Sequence, residues 1–195
     1  MQVVEYRRRA SLADTGEAVW RAFPDRLEQS GPDGTLLTKV PYSAVRQLRL
    51  GFTPGRFRTT RFLMELTGTK SRLVITNLHA GGIGALEDRS GSFFALVRAV
   101  VAGVHRANPG SAFLAGEQPA IYWLLLAFNL VAFAMLALVV TQLPIVPGNV
   151  SASVIIKAVV ILFSLPLMMS WLINARPRRF DPQSGLEKVI AARTA

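Results

Sequence analysis

Few side chains in this sequence combine the residue types and spacing that catalysis or metal binding requires. The chain has two histidines, His79 and His105, and no cysteine, which excludes cysteine nucleophiles and thiolate metal sites. Glu87 or Asp88 could join the histidines in a metal site, but no motif sets the ligand spacing. The glycines of HAGGIG, at 79–84, lack the pattern of a phosphate-binding loop. The sequence therefore predicts no catalytic residue, no cofactor and no metal, and we do not expect an enzyme.

A series of basic residues in the first half of the chain is the strongest charge feature. Its members, set against only Glu65, are Arg46, Arg49, Arg56, Arg58, Arg61, Lys70 and Arg72. Arg56 and Arg58 follow a predicted Pro-Gly turn, where both could reach an anionic lipid headgroup. Since alternation along a strand puts Arg58 and Arg61 on opposite faces, ordinary solvated strand edges remain the alternative interpretation.

Two long apolar segments predict membrane helices. Residues 118–156 contain no Asp, Glu, Lys, Arg or His, and a soluble fold rarely keeps such a stretch uncharged. At about 1.5 Å per residue, helices over 121–143 and 154–175 would be roughly 34 Å and 33 Å long. Either length is enough for a hydrocarbon core of about 30 Å. With a Pro- and Gly-containing loop between them, the two segments predict a transmembrane helical hairpin.

The flanking residues predict the orientation of this hairpin. Arg176, Arg178 and Arg179 directly follow the second span, whereas the loop between the spans carries no charge. The positive-inside rule then places both termini in the cytoplasm of a bacterial cell and makes the protein a multi-pass protein of the inner membrane. The same three arginines are candidates for binding lipid or a partner.

Polar residues within the spans are candidates for helix packing. Asn129 in the first span, and Ser164 and Pro166 in the second, are predicted to hold the two helices together. Lys157 is predicted to extend its amine to water near the outer surface, with a role in an ion pathway as the alternative. Two helices with so few polar groups could not line a pore, so we do not expect a channel or a transporter.

The residues before the spans predict a small folded domain. Strand-like segments with tight turns occupy 17–85, and apolar residues at spacings of three and four over 93–104 predict an amphipathic helix. The predicted fold class is α+β: an antiparallel sheet or small barrel closed by a C-terminal helix, followed by the two-helix transmembrane hairpin. The predicted domains are 1–110, a linker at 111–120, the hairpin at 121–175 and a basic cytoplasmic tail at 176–195.

Several segments in this order resemble a known family. VPYSAVRQLRL, RFLMELTG, RLVITN and EDRSGSFFALVRAVVAGVHRANPG look like the bacterial pleckstrin-homology-like (PH-like) domains of membrane proteins, over roughly 17–110. The ending RPRRFDPQSGLEKVI is similar to the tail of small two-span proteins of proteobacteria. The resemblance implies a membrane-anchored binding or scaffolding module with no catalytic residues.

Two functions follow as expectations. The first is a non-catalytic accessory or scaffolding subunit that binds other integral membrane proteins; the alternative is a lipid-responsive domain that binds anionic headgroups through basic loops. The net charge of +10 would also suit nucleic acid. However, basic flanks are ordinary beside membrane helices, so the predicted partners are membrane proteins and membrane lipids, with no nucleic acid.

Overall fold

The chain divides into two compact units. A computed structural model describes residues 3–9, 14, 16–53, 61–68, 72–82, 85–142, 153–160, 162–163 and 176–194. Unit 1 comprises Met1–Ala115 together with Arg178–Ala195, and unit 2 is Gly116–Pro177. The chain therefore leaves unit 1 after Ala115 and rejoins it at Arg178.

Unit 1 begins with a four-stranded antiparallel meander. Its strands, in spatial order, are β1 (Val4–Arg8), β2 (Ala18–Ala22), β3 (Arg26–Ser30) and β4 (Leu36–Pro41). Tyr6 lies opposite Trp20, and Leu27 lies opposite Val40. All four side chains are buried, so this sheet has one core face, as alternating strands require.

A five-stranded sheet forms the second half of the unit. Its order is β11 (Arg178–Arg179), β10 (Ala112–Ala115), β5 (Gln47–Thr53), β6 (Arg61–Thr67) and β7 (Leu73–Thr76), and β8 (Leu78–Gly82) pairs separately with β9 (Ala85–Asp88). Strands β6 and β7 are antiparallel neighbours. Phe62, Met64 and Leu66 share a buried face.

Helix α1 (Ser90–Ala107) packs its apolar face against the core of unit 1. The helix was predicted from its spacing, and the predicted face is buried: Phe93, Leu96, Val97, Val100, Val101 and Val104. Near its C-terminus, Gly103 lies against the buried ring of Tyr42. The absence of a Cβ lets helix and ring approach closely.

Asn77, between β7 and β8, fixes the start of α1. Its Oδ1 accepts a hydrogen bond from the Phe62 amide at 2.7 Å. Its Nδ2 donates to Asp88 Oδ1 at 2.8 Å and to Ser90 Oγ at 3.0 Å. Because Asn77 is fully buried, these bonds satisfy a side chain that would otherwise destabilise the core. They tie the helix start to β6.

Unit 2 contains a long apolar helix. Helix α2 spans Pro119–Gln142, and α3 is described at 153–160 and 162–163. The most apolar 18-residue window of α2 has a mean hydropathy of 2.5 and is 6% buried. At the end of α2, the Lys157 amine donates to the Thr141 carbonyl at 2.7 Å. This bond satisfies one of the last carbonyls of the helix, which have no partner within it.

The predicted fold class is wrong in two respects, although the α+β content is correct. First, the described strands form three separate sheets rather than one antiparallel sheet or closed barrel. Second, β10 lies parallel to β5, because the chain between them crosses over through α1. A strand as short as Ala112–Ala115 shows too little alternation to be predicted, and those residues had been assigned to a linker.

The prediction of a two-helix transmembrane hairpin is also wrong. Within the described residues, one helix, α2, is long and apolar enough to cross a membrane. Most of the second predicted span, including Ser164 and Pro166, lies outside the described residues. An apolar run fixes only composition, whereas a membrane span needs a continuous helix, and the described parts of α3 are too short for one.

The close contact between α1 and Tyr42 yields a prediction. A Cβ at position 103 would clash with Tyr42 Cε2, and that ring is fully buried. We expect Gly103→Ala to lower the free energy of unfolding by about 1–3 kcal/mol, despite the higher helix propensity of alanine. Thermal unfolding of the full chain in detergent measures it.

Gly91→Ala is the matched control in the same helix. A Cβ at position 91 meets nothing within 4 Å, so this variant should unfold at the wild-type temperature or slightly above it. Equal destabilisation by both substitutions would show that the packing of α1 on Tyr42 is not as described.

Candidate functional site

An open groove runs between α1 and the chain segment that returns to unit 1. Its two adjoining cavities, of about 770 Å³ and 300 Å³, share His105, Pro109 and Pro182. We call the two cavities together the tail groove. Its lining also includes Arg98, Val101, Ala102, Arg106, Arg179, Gln183, Leu186 and Glu187. Arg98, Ala102 and Arg106 follow one another at four-residue spacing, which keeps them on one side of α1.

An ion pair closes one end of the groove. The Arg98 guanidinium donates to both carboxylate oxygens of Glu187, at 2.6 Å and 2.9 Å. These hydrogen bonds lower the pKa of Glu187 below its ordinary value and raise the pKa of Arg98. The paired planar groups fix the geometry of the contact. They join α1 to α4 (Leu186–Thr194).

His105 lies where the two cavities meet. Its Nε2 is 3.2 Å from the Gln183 side-chain nitrogen, and its ring packs edge-on against Phe113. Its Nδ1 is buried without a hydrogen-bond partner among the described residues.

The returning segment is itself well organised. Asp181 accepts hydrogen bonds from the Ser184 hydroxyl at 2.5 Å and the Gln183 amide at 3.2 Å. The Ser184 bond is the main reason that the pKa of Asp181 is lowered. Phe180 stacks edge-on against Phe113. These contacts hold residues 180–184 as a fixed wall of the groove.

A second polar cluster surrounds His79. The ring is largely buried: Nδ1 accepts from the Arg9 amide at 3.0 Å, and Nε2 lies 3.6 Å from Glu17 and 3.9 Å from Glu87. Arg89 pairs with both carboxylates, at 2.9 Å and 3.3 Å, and its hydrogen bond lowers the pKa of Glu17. Because the Arg89 guanidinium already pairs with Glu17 and Glu87, these two carboxylates are not available together to bind a metal ion.

No metal-binding group of three or more His, Cys, Asp or Glu occurs within the described parts of the chain. His79 and His105 have different partners: the first faces Glu17 and Glu87, the second Gln183 and Phe113. The two-histidine arrangement considered from the sequence is therefore not formed.

A buried ion network lies within the five-stranded sheet. Arg49 and Glu65 face each other across β5 and β6, with side chains that are 3% and 2% exposed. Arg49 donates to Glu65 at 2.8 Å and 2.5 Å, and Arg72 pairs with the other carboxylate oxygen. Burial alone would raise the pKa of Glu65, but the bonds from Arg72 and Arg49 outweigh it and lower the pKa.

The structure places the predicted site residues in different surroundings. Arg56 and Arg58 lie outside the described residues. Arg176, Arg178 and Arg179 are exposed, and the last two form β11, opposite Ala115 and Leu114 of β10. In the chain, Ala115 is followed by unit 2, which contains α2. Of the predicted site residues that the structure describes, Arg179 alone lines the tail groove.

Asn129 makes its described contact within its own helix. Its Nδ2 donates to the Leu125 carbonyl at 2.6 Å. Its predicted neighbours, Ser164 and Pro166, lie outside the described residues, so the predicted packing of the three remains a prediction. Lys157 bonds the Thr141 carbonyl, a contact that neither the snorkelling nor the ion-pathway interpretation included.

The sequence interpretation missed the groove because it treated 176–195 as a tail. One signal was available: in Asp181-Pro-Gln-Ser184, the first side chain can cap the backbone ahead of a helix. Leu186 and Ile190, four residues apart, then predict an apolar helix face. Both side chains are buried in the core of unit 1.

No protein-family model matches the chain, and no curated protein or solved structure is significantly similar to it. The resemblance to PH-like domains therefore stays a sequence-based prediction, and the site is interpreted from its own geometry.

The Glu65 network yields a prediction about stability. Because Glu65→Gln leaves Arg49 buried without its carboxylate, we expect the free energy of unfolding at pH 7 to fall by about 3–5 kcal/mol. The folded-state pKa of Glu65 lies below the ordinary 4.5, so its contribution is present above that value and is lost as the pH falls through the folded pKa. The difference between wild type and variant should therefore shrink in acid. Denaturant unfolding at several pH values measures it.

Glu5→Gln is the matched control, since Glu5 also pairs with two arginines, Arg7 and Arg21, but on the surface. The free energy of unfolding of this variant should fall by less than about 1 kcal/mol. Equal losses in the two variants, or a Glu65→Gln deficit that persists unchanged in acid, would contradict the described network.

Proposed function

We propose that this protein is a membrane-anchored, non-catalytic interaction module: an accessory or scaffolding subunit that binds another integral membrane protein. The observation that carries the proposal is the surface of α2. Its most apolar window is 6% buried, with large side chains such as Trp123, Leu124, Phe128 and Val131 exposed. Apolar surface of this extent needs lipid or protein around it.

The junction between the units supports a membrane surface as the location. Arg176, Arg178 and Arg179 are exposed, and none of them forms an ion pair with another described residue. Since they lie close in sequence to unit 2, the positive-inside rule favours the cytoplasmic face of a bacterial inner membrane for unit 1. Both chain termini belong to unit 1 and would lie on that face.

An open sheet edge supports a protein partner. Strand β4 pairs with β3 on one side, and no other described strand pairs with it. Leu36 and Leu37 on this edge are 56% and 59% exposed. An exposed edge with apolar side chains is a surface to which an extended segment of another protein can add as a strand.

The second candidate function is recognition of anionic lipid. The three arginines of the junction favour it, because each basic residue near such a surface contributes about 1 kcal/mol. The same three arginines would also hold an interaction module at the membrane. The two functions therefore differ in whether protein or anionic lipid stays bound when the protein is purified.

Purification of the full chain, tagged at its N-terminus and extracted in mild detergent, tests the proposal. Mass spectrometry of proteins and lipids should find an integral membrane protein in near-equimolar amount. Replacing α2 by a polyleucine helix of equal length preserves an anchor but removes its side-chain pattern. This variant reports whether α2 takes part in recognition or only in anchoring.

Other outcomes would favour the alternative or contradict both functions. Recovery of no protein partner, with anionic lipid enriched in wild type but not in Arg176→Ala/Arg178→Ala/Arg179→Ala, would favour lipid recognition. A chain that stays in solution without detergent would rule out membrane anchoring, and with it both candidate functions.

A further inference from the structure

Arg9, which directly follows β1, is bonded to β8 through both of its backbone groups. Its carbonyl accepts a hydrogen bond from the Ala80 amide at 2.9 Å, and its amide donates to Nδ1 of His79 at 3.0 Å. Strands β1 and β8 belong to different sheets, so these bonds tie together elements of two separate sheets. Because one acceptor is a ring nitrogen, this contact depends on the protonation state of an imidazole.

The bond from Arg9 determines which nitrogen of His79 can take up a proton. A backbone amide can only donate, so Nδ1 must offer its lone pair, and the proton of the neutral ring lies on Nε2. The lone pair left for a second proton is then the one that accepts from Arg9. The charged ring and the Arg9 hydrogen bond therefore exclude each other.

Two carboxylates favour the charged form of the ring. Its Nε2 lies 3.6 Å from Glu17, ahead of β2, and 3.9 Å from Glu87 on β9. These distances exceed a hydrogen bond, but they are short enough for attraction to a cation. Arg89 pairs with both carboxylates, which leaves one net negative charge in this group of three. The neutral ring thus gains a hydrogen bond, and the charged ring gains electrostatic attraction.

Other charged groups close to β8 are directed elsewhere. On the side of β1, the Arg9 guanidinium donates to the Asp14 carbonyl at 3.1 Å and 2.8 Å. On the side of β9, the Asp88 carboxylate accepts from Asn77 and from the Ser90 amide. The protonation of the ring therefore depends on the Arg9 amide, the two carboxylates and Arg89.

We propose that His79 is a pH-sensitive latch between β1 and β8. In its uncharged state the ring accepts from Arg9. When Nδ1 takes a proton from solvent, the Arg9 amide loses its acceptor, and Glu17 and Glu87 hold the charged ring instead. Imidazole suits this role because it is the side chain that ordinarily changes charge between about pH 5 and pH 8. The latch goes beyond the proposed function, since it concerns when the end of β1 opens and not what the protein binds.

Hydrogen exchange of the Arg9 amide tests the latch. The full chain, labelled with ¹⁵N-arginine and kept in detergent, is followed by NMR between about pH 8 and pH 5. Each exchange rate is compared with that of an unstructured peptide at the same pH. The protection of Arg9 should fall about tenfold or more in acid, as expected for one lost hydrogen bond. Arg21, which lies between strands β1 and β3, should keep its protection.

His79→Asn and His105→Asn form a matched pair of variants. The Asn oxygen offers an acceptor close to the position of Nδ1 and takes no proton in this pH range, so His79→Asn should keep Arg9 protection constant within about twofold. His105 lies beside Gln183 instead, so His105→Asn should show the wild-type loss. Glu17→Gln removes a carboxylate that stabilises the charged ring, so the loss should occur at lower pH.

Three results would overturn the proposal. They are wild-type Arg9 protection that is equal at both ends of the pH range, a loss in acid that persists in His79→Asn, and a loss that His105→Asn abolishes. Should the NMR spectrum show that His79→Asn does not fold, Glu17→Gln decides: a loss at the wild-type pH would contradict the latch, and a loss shifted to lower pH would support it.

Discussion

The return of the chain to unit 1 at Arg178 is the constraint on which the other features depend. Strand β11 extends the five-stranded sheet through β10, and Leu186 and Ile190 of α4 enter the core beside α1. Each such buried side chain stabilises the fold by about 1.5–3 kcal/mol. Arg98 and Glu187 add a defined polar contact. Unit 1 is therefore completed by residues synthesised after the whole of unit 2.

This closure has consequences for the rest of the molecule. Both ends of unit 2 are joined in the chain to unit 1. It also builds the tail groove, because one wall is α1 and the other is the segment 180–187. A chain that loses its last part would therefore lose the groove with it.

Sequence patterns predicted the parts of this structure that local periodicity determines. The apolar face of α1 and the alternation of β6 are strong short-range signals, and the apolar composition of α2 is stronger still. What could not be predicted depends on long-range pairing: β10 beside β5, the two-residue β11, and burial of Glu65 by arginines from two other strand regions. Only the fold shows that Glu65 is buried and that Arg49 meets it. The tail groove was missed for the same reason, since its walls are far apart in sequence.

Intrachain cross-linking measures the closure of unit 1 most directly. The native chain has no cysteine, so Arg98→Cys/Glu187→Cys provides a unique pair for a short thiol cross-linker in native membranes. Co-expressed ¹⁴N- and ¹⁵N-labelled chains distinguish links within one chain from links between chains. The structure predicts efficient linking of the peptides that carry positions 98 and 187, with both peptides always of the same isotope. Absence of the link, or pairs of mixed isotope, would contradict the account of how this protein is closed.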